Sequence, residues 1–193
     1  MLFETIRVLD GVAERVTLHR ERAERSCGRA LPQLESAVAM ALEALPRRGE
    51  FRLHLSYDAD GVASMTASPY RLRRLRRLRA VEAEVDYSLK SEDRSALEAL
   101  RQRCDDADEV LILRGGWVTD TTFSNVLLGE PGHWICPTHY LLRGTRRESL
   151  LQAGAVELRP LRAEDLHRFR FITLINAMLP PGRLMLPTSA LLL

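Results

Sequence analysis

Lysine is almost missing from this 193-residue chain: of its 28 basic residues Lys90 is the one lysine, and the other 27 are arginine. Arginine can replace lysine as a surface charge. It cannot replace it as an amine nucleophile, because the guanidinium stays protonated. A sequence with a single lysine therefore draws attention to that position. Cysteine is scarce too. Cys27, Cys104 and Cys136 have neither disulfide nor zinc spacing, which predicts reduced thiols and a cytoplasmic protein. Aromatic residues make up 6% of the chain, leaving few platforms for stacking on bases. No apolar run is long enough to span a bilayer, and the start, Met1 to Arg7, has no apolar signal core. The net charge of +2 is too small to imply a nucleic acid or a membrane surface as partner. What remains is ordinary: 46% hydrophobic and 28% charged residues, enough for a real core.

The apolar periodicity predicts a small α+β unit over residues 1–68. Leu2 to Leu9 alternates as a strand, Asp10-Gly11 reads as a turn, and Val16-Thr17-Leu18 as the return strand. Residues 19–45 read as helical, broken near Gly28 and Pro32, and Phe51 to Thr66 as a hairpin turning at Asp58 to Gly61. Residues 69–79 read as a linker. Its leucines fall at every third position among arginines, which predicts a short helix with a basic face. The same run invites a rival reading, a non-catalytic binding protein working through that basic surface, but only Tyr70 stands beside it for stacking. Residues 80–193 form a larger, strand-rich unit. Strands are expected at Val81 to Tyr87, Glu109 to Leu113, Trp117 to Asp120 and onward, with helices at Glu92 to Arg103 and Arg143 to Gly154.

Three features could carry chemistry. Lys90 follows a β-like stretch, and a lysine at a strand end can project from a rigid element as an amine nucleophile. Asp120 closes Trp117-Val118-Thr119; a carboxylate there can hold a proton on a ring nitrogen, or can simply make an Asx turn. Gly144 and Thr145 open a helix, with Thr145 and Glu148 at capping-box spacing, and a helix start can receive an anion. Two other patterns fall short. His133-x-x-Cys136-x-x-His139 lacks a fourth zinc ligand, and no Gly-x-Ser-x-Gly elbow is present.

In order along the chain, these segments resemble the class-IV (fold-type IV) aminotransferases, which use pyridoxal 5'-phosphate (PLP), and most closely the 4-amino-4-deoxychorismate lyases among them. Leu2-Phe3-Glu4-Thr5-Ile6-Arg7-Val8 is similar to the family's early strand, and Leu18-His19-x-x-Arg22 to its His-x-x-Arg helix start. Lys90-x-x-x-Arg94 resembles the segment with the cofactor-linked lysine. Ala107 to Leu111, then Gly116-Trp117-Val118-Thr119-Asp120-x-x-x-Ser124-Asn125, is the most specific match, with Asp120 where the family usually has Glu. Gly144-Thr145-Arg146 resembles the phosphate-binding turn, and Asn176-Ala177-Met178-Leu179-Pro180 a segment of the lyases.

The resemblance implies a two-domain fold, PLP linked through Lys90, and a small amino compound as substrate. It assigns cofactor contacts to Asp120, Arg22, Gly144, Thr145, Asn125 and Arg94, and substrate contacts to Arg7, Asn176 and Ala177. It implies an N-terminally shortened member and a homodimer. The activity expected first is pyruvate release to give p-aminobenzoate in folate biosynthesis. A branched-chain or D-amino-acid aminotransferase is the alternative.

Overall fold

The computed structural model describes residues 1–193, which form two compact units. Met1–Leu72 and the short segment Leu89–Asp93 make the first; Arg73–Ser88 and Arg94–Leu193 make the second. No helix is long and apolar enough to cross a membrane.

The first unit is a four-stranded antiparallel sheet with two helices. Its strands are β1 (Leu2–Leu9), β2 (Val12–Ala13), β3 (Glu50–Asp58) and β4 (Gly61–Pro69), in the order β2-β1-β3-β4; the helices α1 (Val16–Cys27) and α2 (Gln33–Ala44) lie between β2 and β3 in the chain. Alternation along β1 sends Glu4, Ile6 and Val8 into the core, where Ile6 and Val8 join Leu31, Leu34, Leu53, Leu55 and Tyr57. Each leucine buried there contributes about 1.5–3 kcal/mol. Phe3, Thr5 and Arg7 take the other face. Ser56, His54 and Arg52 of β3 stand directly opposite them in the register.

The return strand expected at Val16 to Leu18 is absent, because α1 already begins at Val16. Arg15 turns the chain there with a left-handed φ of 57°. The return strand is instead Val12–Ala13, immediately after the Asp10-Gly11 turn. A cost comes with the left-handed backbone at Arg15. Its guanidinium is held by Glu14, which also binds Arg7.

The second unit opens with β5 (Leu78–Glu82), then α3 (Ser95–Gln102), β6 (Glu109–Arg114), β7 (Trp117–Thr121), β8 (Asn125–Glu130), β9 (His133–Pro137), α4 (Thr145–Gln152) and β10 (Glu157–Arg159). A 3-10 turn at Ala163–Arg168, β11 (Phe171–Ile175), β12 (Met185–Pro187) and β13 (Leu191–Leu192) follow. The sheet runs β10-β9-β8-β7-β6-β5-β13, with β11 paired to both β8 and β12. The β6 run Val110 to Leu113 is buried throughout, as expected of a strand covered on both faces.

Two expectations fail here for one reason. The arginine run is not helical: residues 71–77 have no regular structure, and Leu78–Glu82 pairs in parallel with β6. Leucines at every third residue suit a helix poorly, and the sheet edge takes the last of them as a strand. The strand expected from Val81 to Tyr87 consequently ends at Glu82. In the second unit the helical periodicity proves broader than the helices. The helix expected from Glu92 begins at Ser95, and Arg143 lies outside α4.

Candidate functional site

In the first unit, Lys90 does not stand at a strand end. It sits in the segment Leu89–Asp93, which returns to the edge of β1. Phe3 N–H donates to Lys90 O at 3.0 Å, Glu92 N–H donates to Met1 O at 3.1 Å, and Leu2 pairs with Ser91. The backbone thus holds the loop as one short antiparallel rung. The Lys90 ammonium lies 4.3 Å from the centroid of the Phe3 ring, a cation–π contact. Phe3 in turn stacks on His54 with centroids 4.8 Å apart. Arg7, on the same face of β1, is ion-paired to Glu50 (2.6 Å) and Glu14 (2.7 Å).

Arg22 lies on the opposite, core side of β1. Its Nε donates to Glu4 Oε1 at 2.8 Å and its Nη2 to Glu4 Oε2, while His19 Nδ1 contacts Oε2 at 2.6 Å. All three side chains are buried. Burial pushes the Glu4 carboxyl up, but the Arg22 guanidinium and the His19 hydrogen bond outweigh it and hold the group at about 2. Burial likewise lowers His19 and keeps its imidazole neutral. Sequence reasoning singled out no role for Glu4; the signal was its arginine and histidine partners, three residues apart on α1.

This triad gives a pH prediction. Glu4 ionises more easily folded, at about 2, than unfolded, at 4.5. Its stabilisation is therefore complete above the unfolded value and disappears as the pH falls through the folded one. The amount is about 3 kcal/mol. His19 adds a loss that starts higher, as the pH drops below its unfolded value of 6.5. Urea unfolding from pH 7 to 2 should show both. Glu4→Gln should cost about 3 kcal/mol or more at pH 7, by leaving a buried guanidinium unpaired, and should flatten the acid limb below pH 4.5. An unchanged acid limb in the variant would assign the loss elsewhere.

In the second unit the β7–β8 hairpin sets Asp120 directly opposite Asn125. Asn125 Nδ2 donates to Asp120 Oδ1 at 2.8 Å, and the Leu141 and Leu142 amides donate to Oδ2 at 3.1 and 2.9 Å. Asp120 is 4% exposed. Burial pushes its carboxyl up to about 6, against the pull of those donors and of Arg147. The Asx turn considered for Asp120 does not form, because the residue lies inside β7. The two leucine amides were invisible to sequence reasoning, since backbone donors leave no side-chain signature.

Gly144 packs onto the same cluster. Its φ of −71° is ordinary, so conformation does not require glycine. Space does: a Cβ there would lie 2.0 Å from Asn125 Oδ1. Gly144 is the N-cap of α4 and Thr145 its first residue, buried at 4% exposure. The capping box expected from Thr145 and Glu148 is not made. No side chain caps this helix, and Glu148 instead pairs with Arg143 and Arg147. Arg146 reaches from the first turn to the carbonyls of Asn176 (3.4 Å) and Ala177 (3.3 Å). Asn176 organises its own turn, accepting from the Met178 and Leu179 amides at 2.9 and 3.1 Å and donating to Phe123 O at 3.2 Å. Arg94 donates to Tyr87 Oη (3.0 Å) and Thr122 O (2.8 Å), which ties the start of α3 to the β7–β8 turn.

The second unit therefore brings together Asp120, Asn125 and Gly144 by direct packing, with Thr145 adjoining and Asn176 and Ala177 linked through Arg146. The donor set fits PLP chemically. A buried acid raised by its surroundings matches a ring nitrogen that must hold a proton, and a helix start without a side-chain cap matches a phosphate tail.

The chain matches the family model described as amino-transferase class IV over residues 1–184. An uncharacterised protein of Haemophilus influenzae is 31% identical over 183 residues, 92% of this chain and 97% of that protein. A solved structure from Haemophilus somnus, provisionally assigned as a 4-amino-4-deoxychorismate lyase, is 32% identical, with a TM-score of 0.82 over 92% of this chain and 95% of its own. A hypothetical aminotransferase from Mycobacterium tuberculosis, solved in a PLP-bound form, shares the fold at 20% identity, with a TM-score of 0.75 over 98% of this chain and 80% of its own.

Proposed function

The chain belongs to the class-IV aminotransferase family, a family of PLP-dependent enzymes, and from that premise we propose that it is a lyase of the 4-amino-4-deoxychorismate type, releasing pyruvate from its amino substrate. The observation that carries this reading is the likeness to the Haemophilus somnus protein, 32% identical over 92% of this chain. The Asn176 turn supports it, since the segment Asn176 to Pro180 resembles the lyases.

Lys90 would hold the cofactor through its amine, and the same amine would take up the proton from the substrate carbon. When bound, PLP draws electrons away from the bonds of the amine-bearing carbon. Asp120 keeps the ring nitrogen protonated, and its three donors fix its orientation for that task. Asp120 is one methylene shorter than the usual Glu. The Leu141 and Leu142 amides set how far it reaches. Gly144 and Thr145 hold the phosphate, while Asn125 and Arg94 keep the β7–β8 turn in place; Arg22, expected at the phosphate, is instead held by Glu4 in the core of the first unit. Asn176 and Ala177 contact the substrate; Arg7, expected to do so, is engaged by Glu14 and Glu50. The three cysteines without disulfide spacing support a cytoplasmic protein, and the family resemblance implies a homodimer.

A second reading, an amino-acid aminotransferase, is favoured by the fold shared with the Mycobacterium tuberculosis protein. The two reactions differ in their need for an acceptor. Purified enzyme given aminodeoxychorismate should release pyruvate with no keto acid present, and p-aminobenzoate should accumulate in equal amount. Amino-acid consumption that depends strictly on an added keto acid would select the aminotransferase instead.

A further inference from the structure

The face of the first unit's sheet that carries Phe3 holds a second set of polar groups around Lys90, and none of these neighbours has a role in the scheme above. Three short strands contribute to it. The rung Lys90 to Glu92 lies along β1, and the pairing of Leu2 with Ser91 turns Lys90 and Glu92 to the Phe3 side. β1 contributes Phe3. β3 contributes Ser56, directly opposite Phe3, and His54 two residues along. Glu92 is the carboxylate of this set. Ser56 Oγ donates to Glu92 Oε1 at 2.5 Å, and His54 Nε2 lies 3.8 Å from the same oxygen and 3.4 Å from Ser56 Oγ. His54 stacks on the ring over which the Lys90 ammonium rests. The Lys90 and Glu92 charges act on His54 with opposite sign. Lys90 Nζ, the Phe3 ring, His54, Ser56 and Glu92 thus form one continuous chain of contacts.

We propose that Glu92, fixed by Ser56 and His54, is a positioning residue that supplies the counter-charge for the Lys90 ammonium. This deepens the proposed reaction and rests on Lys90 being its amine. When Lys90 accepts a proton from the substrate carbon, a positive charge appears at Nζ. A carboxylate two residues along the same rung favours that charged form and so raises the basicity of the amine. Ser56 and His54 give the carboxylate a fixed place, which a long side chain at this exposure would otherwise lack. The other charged groups on this face are Arg52 of β3, whose charge acts on His54 against that of Glu92, Arg7 with its partners Glu14 and Glu50, and the Met1 amine at the start of β1. Glu4 faces the core, on the far side of the strand.

The single lysine makes the test clean. The full chain, freed of bound carbonyl compounds with hydroxylamine and dialysed, is reacted briefly with acetic anhydride across pH 6 to 11. Nα-acetyl-lysine amide is included as the reference amine. Mass spectrometry of the Lys90 peptide gives the pH midpoint of its reactivity. Glu92→Gln should lower that midpoint by about half a pH unit or more. Ser56→Ala, which only loosens the carboxylate, should lower it by less. Asp93→Asn, which removes a like charge one residue further along the chain, should move it less. A change that merely weakened the fold would lower the melting temperature without moving the midpoint. An unmoved midpoint in Glu92→Gln, or an equal shift in Asp93→Asn, overturns the proposal. Neither result depends on cofactor binding, so failure here is distinct from failure of the PLP reading, which shows as a colourless enzyme.

Discussion

Lys90→Arg should lose turnover by more than about a thousandfold while keeping its fold. The substitution preserves charge and approximate length, so a role in surface electrostatics would survive it. A role as nucleophile and base would not, because a guanidinium does not give up its proton near neutral pH. The fold should be indifferent, since the rung is anchored through the backbone: Phe3 N–H donates to Lys90 O whatever the side chain. The Phe3 cation–π contact can also be made by arginine. The expected result is therefore an unchanged melting temperature and circular dichroism spectrum, no protein-bound visible absorption after addition of PLP and removal of the excess, and no product. Lys90→Ala should match it in activity. Activity of Lys90→Arg within tenfold of the parent would remove Lys90 from the chemistry.

Gly144→Ala carries the second large effect, through sterics and not through backbone freedom. The added methyl would stand 2.0 Å from Asn125 Oδ1, far inside contact distance. Either Asn125 leaves or the start of α4 moves. If Asn125 leaves, Asp120 loses the donor at Oδ1 and Leu142 O loses the same amide. If α4 moves, Thr145 and the Arg146 link to Asn176 and Ala177 shift with it. Overpacking of this kind costs about 1–3 kcal/mol. Cofactor affinity should fall by at least about tenfold, since either route displaces a residue assigned to the cofactor. The double variant Gly144→Ala/Asn125→Ala should be less destabilised than the sum of the single changes, because the second removes the atom that the first strikes. Additive effects would show that the Gly144 and Asn125 contact is not the source of the cost.

Some of this site could be read from the sequence and some could not. Asp120 and Asn125 come from a strand, a tight turn and a strand, and such a hairpin fixes its own register locally. Gly144 and Thr145 are equally local, being the start of one helix. The capping box at the same place misled, because Thr145 lies one position inside the helix and cannot cap it. Lys90 was found through composition, yet its surroundings were not legible. The segment that carries it pairs with the first residues of the chain, and a pairing across so much sequence leaves no periodic trace. The same holds for Glu92, whose partners Ser56 and His54 are brought in by β3. The arginine run shows the converse. Its spacing suggested a local helix, while pairing of Leu78–Glu82 with β6 decided the outcome. Glu4 is the clearest case of a buried charge that only its distant partners explain.

The most direct measurement is borohydride reduction of the purified protein with PLP, followed by proteolysis and mass mapping. The account predicts a yellow protein whose visible band bleaches on reduction, with a phosphopyridoxyl mass added to the peptide containing Lys90 and to no other. A colourless protein, or a reduced adduct on the Met1 amine with Lys90 unmodified, would contradict it.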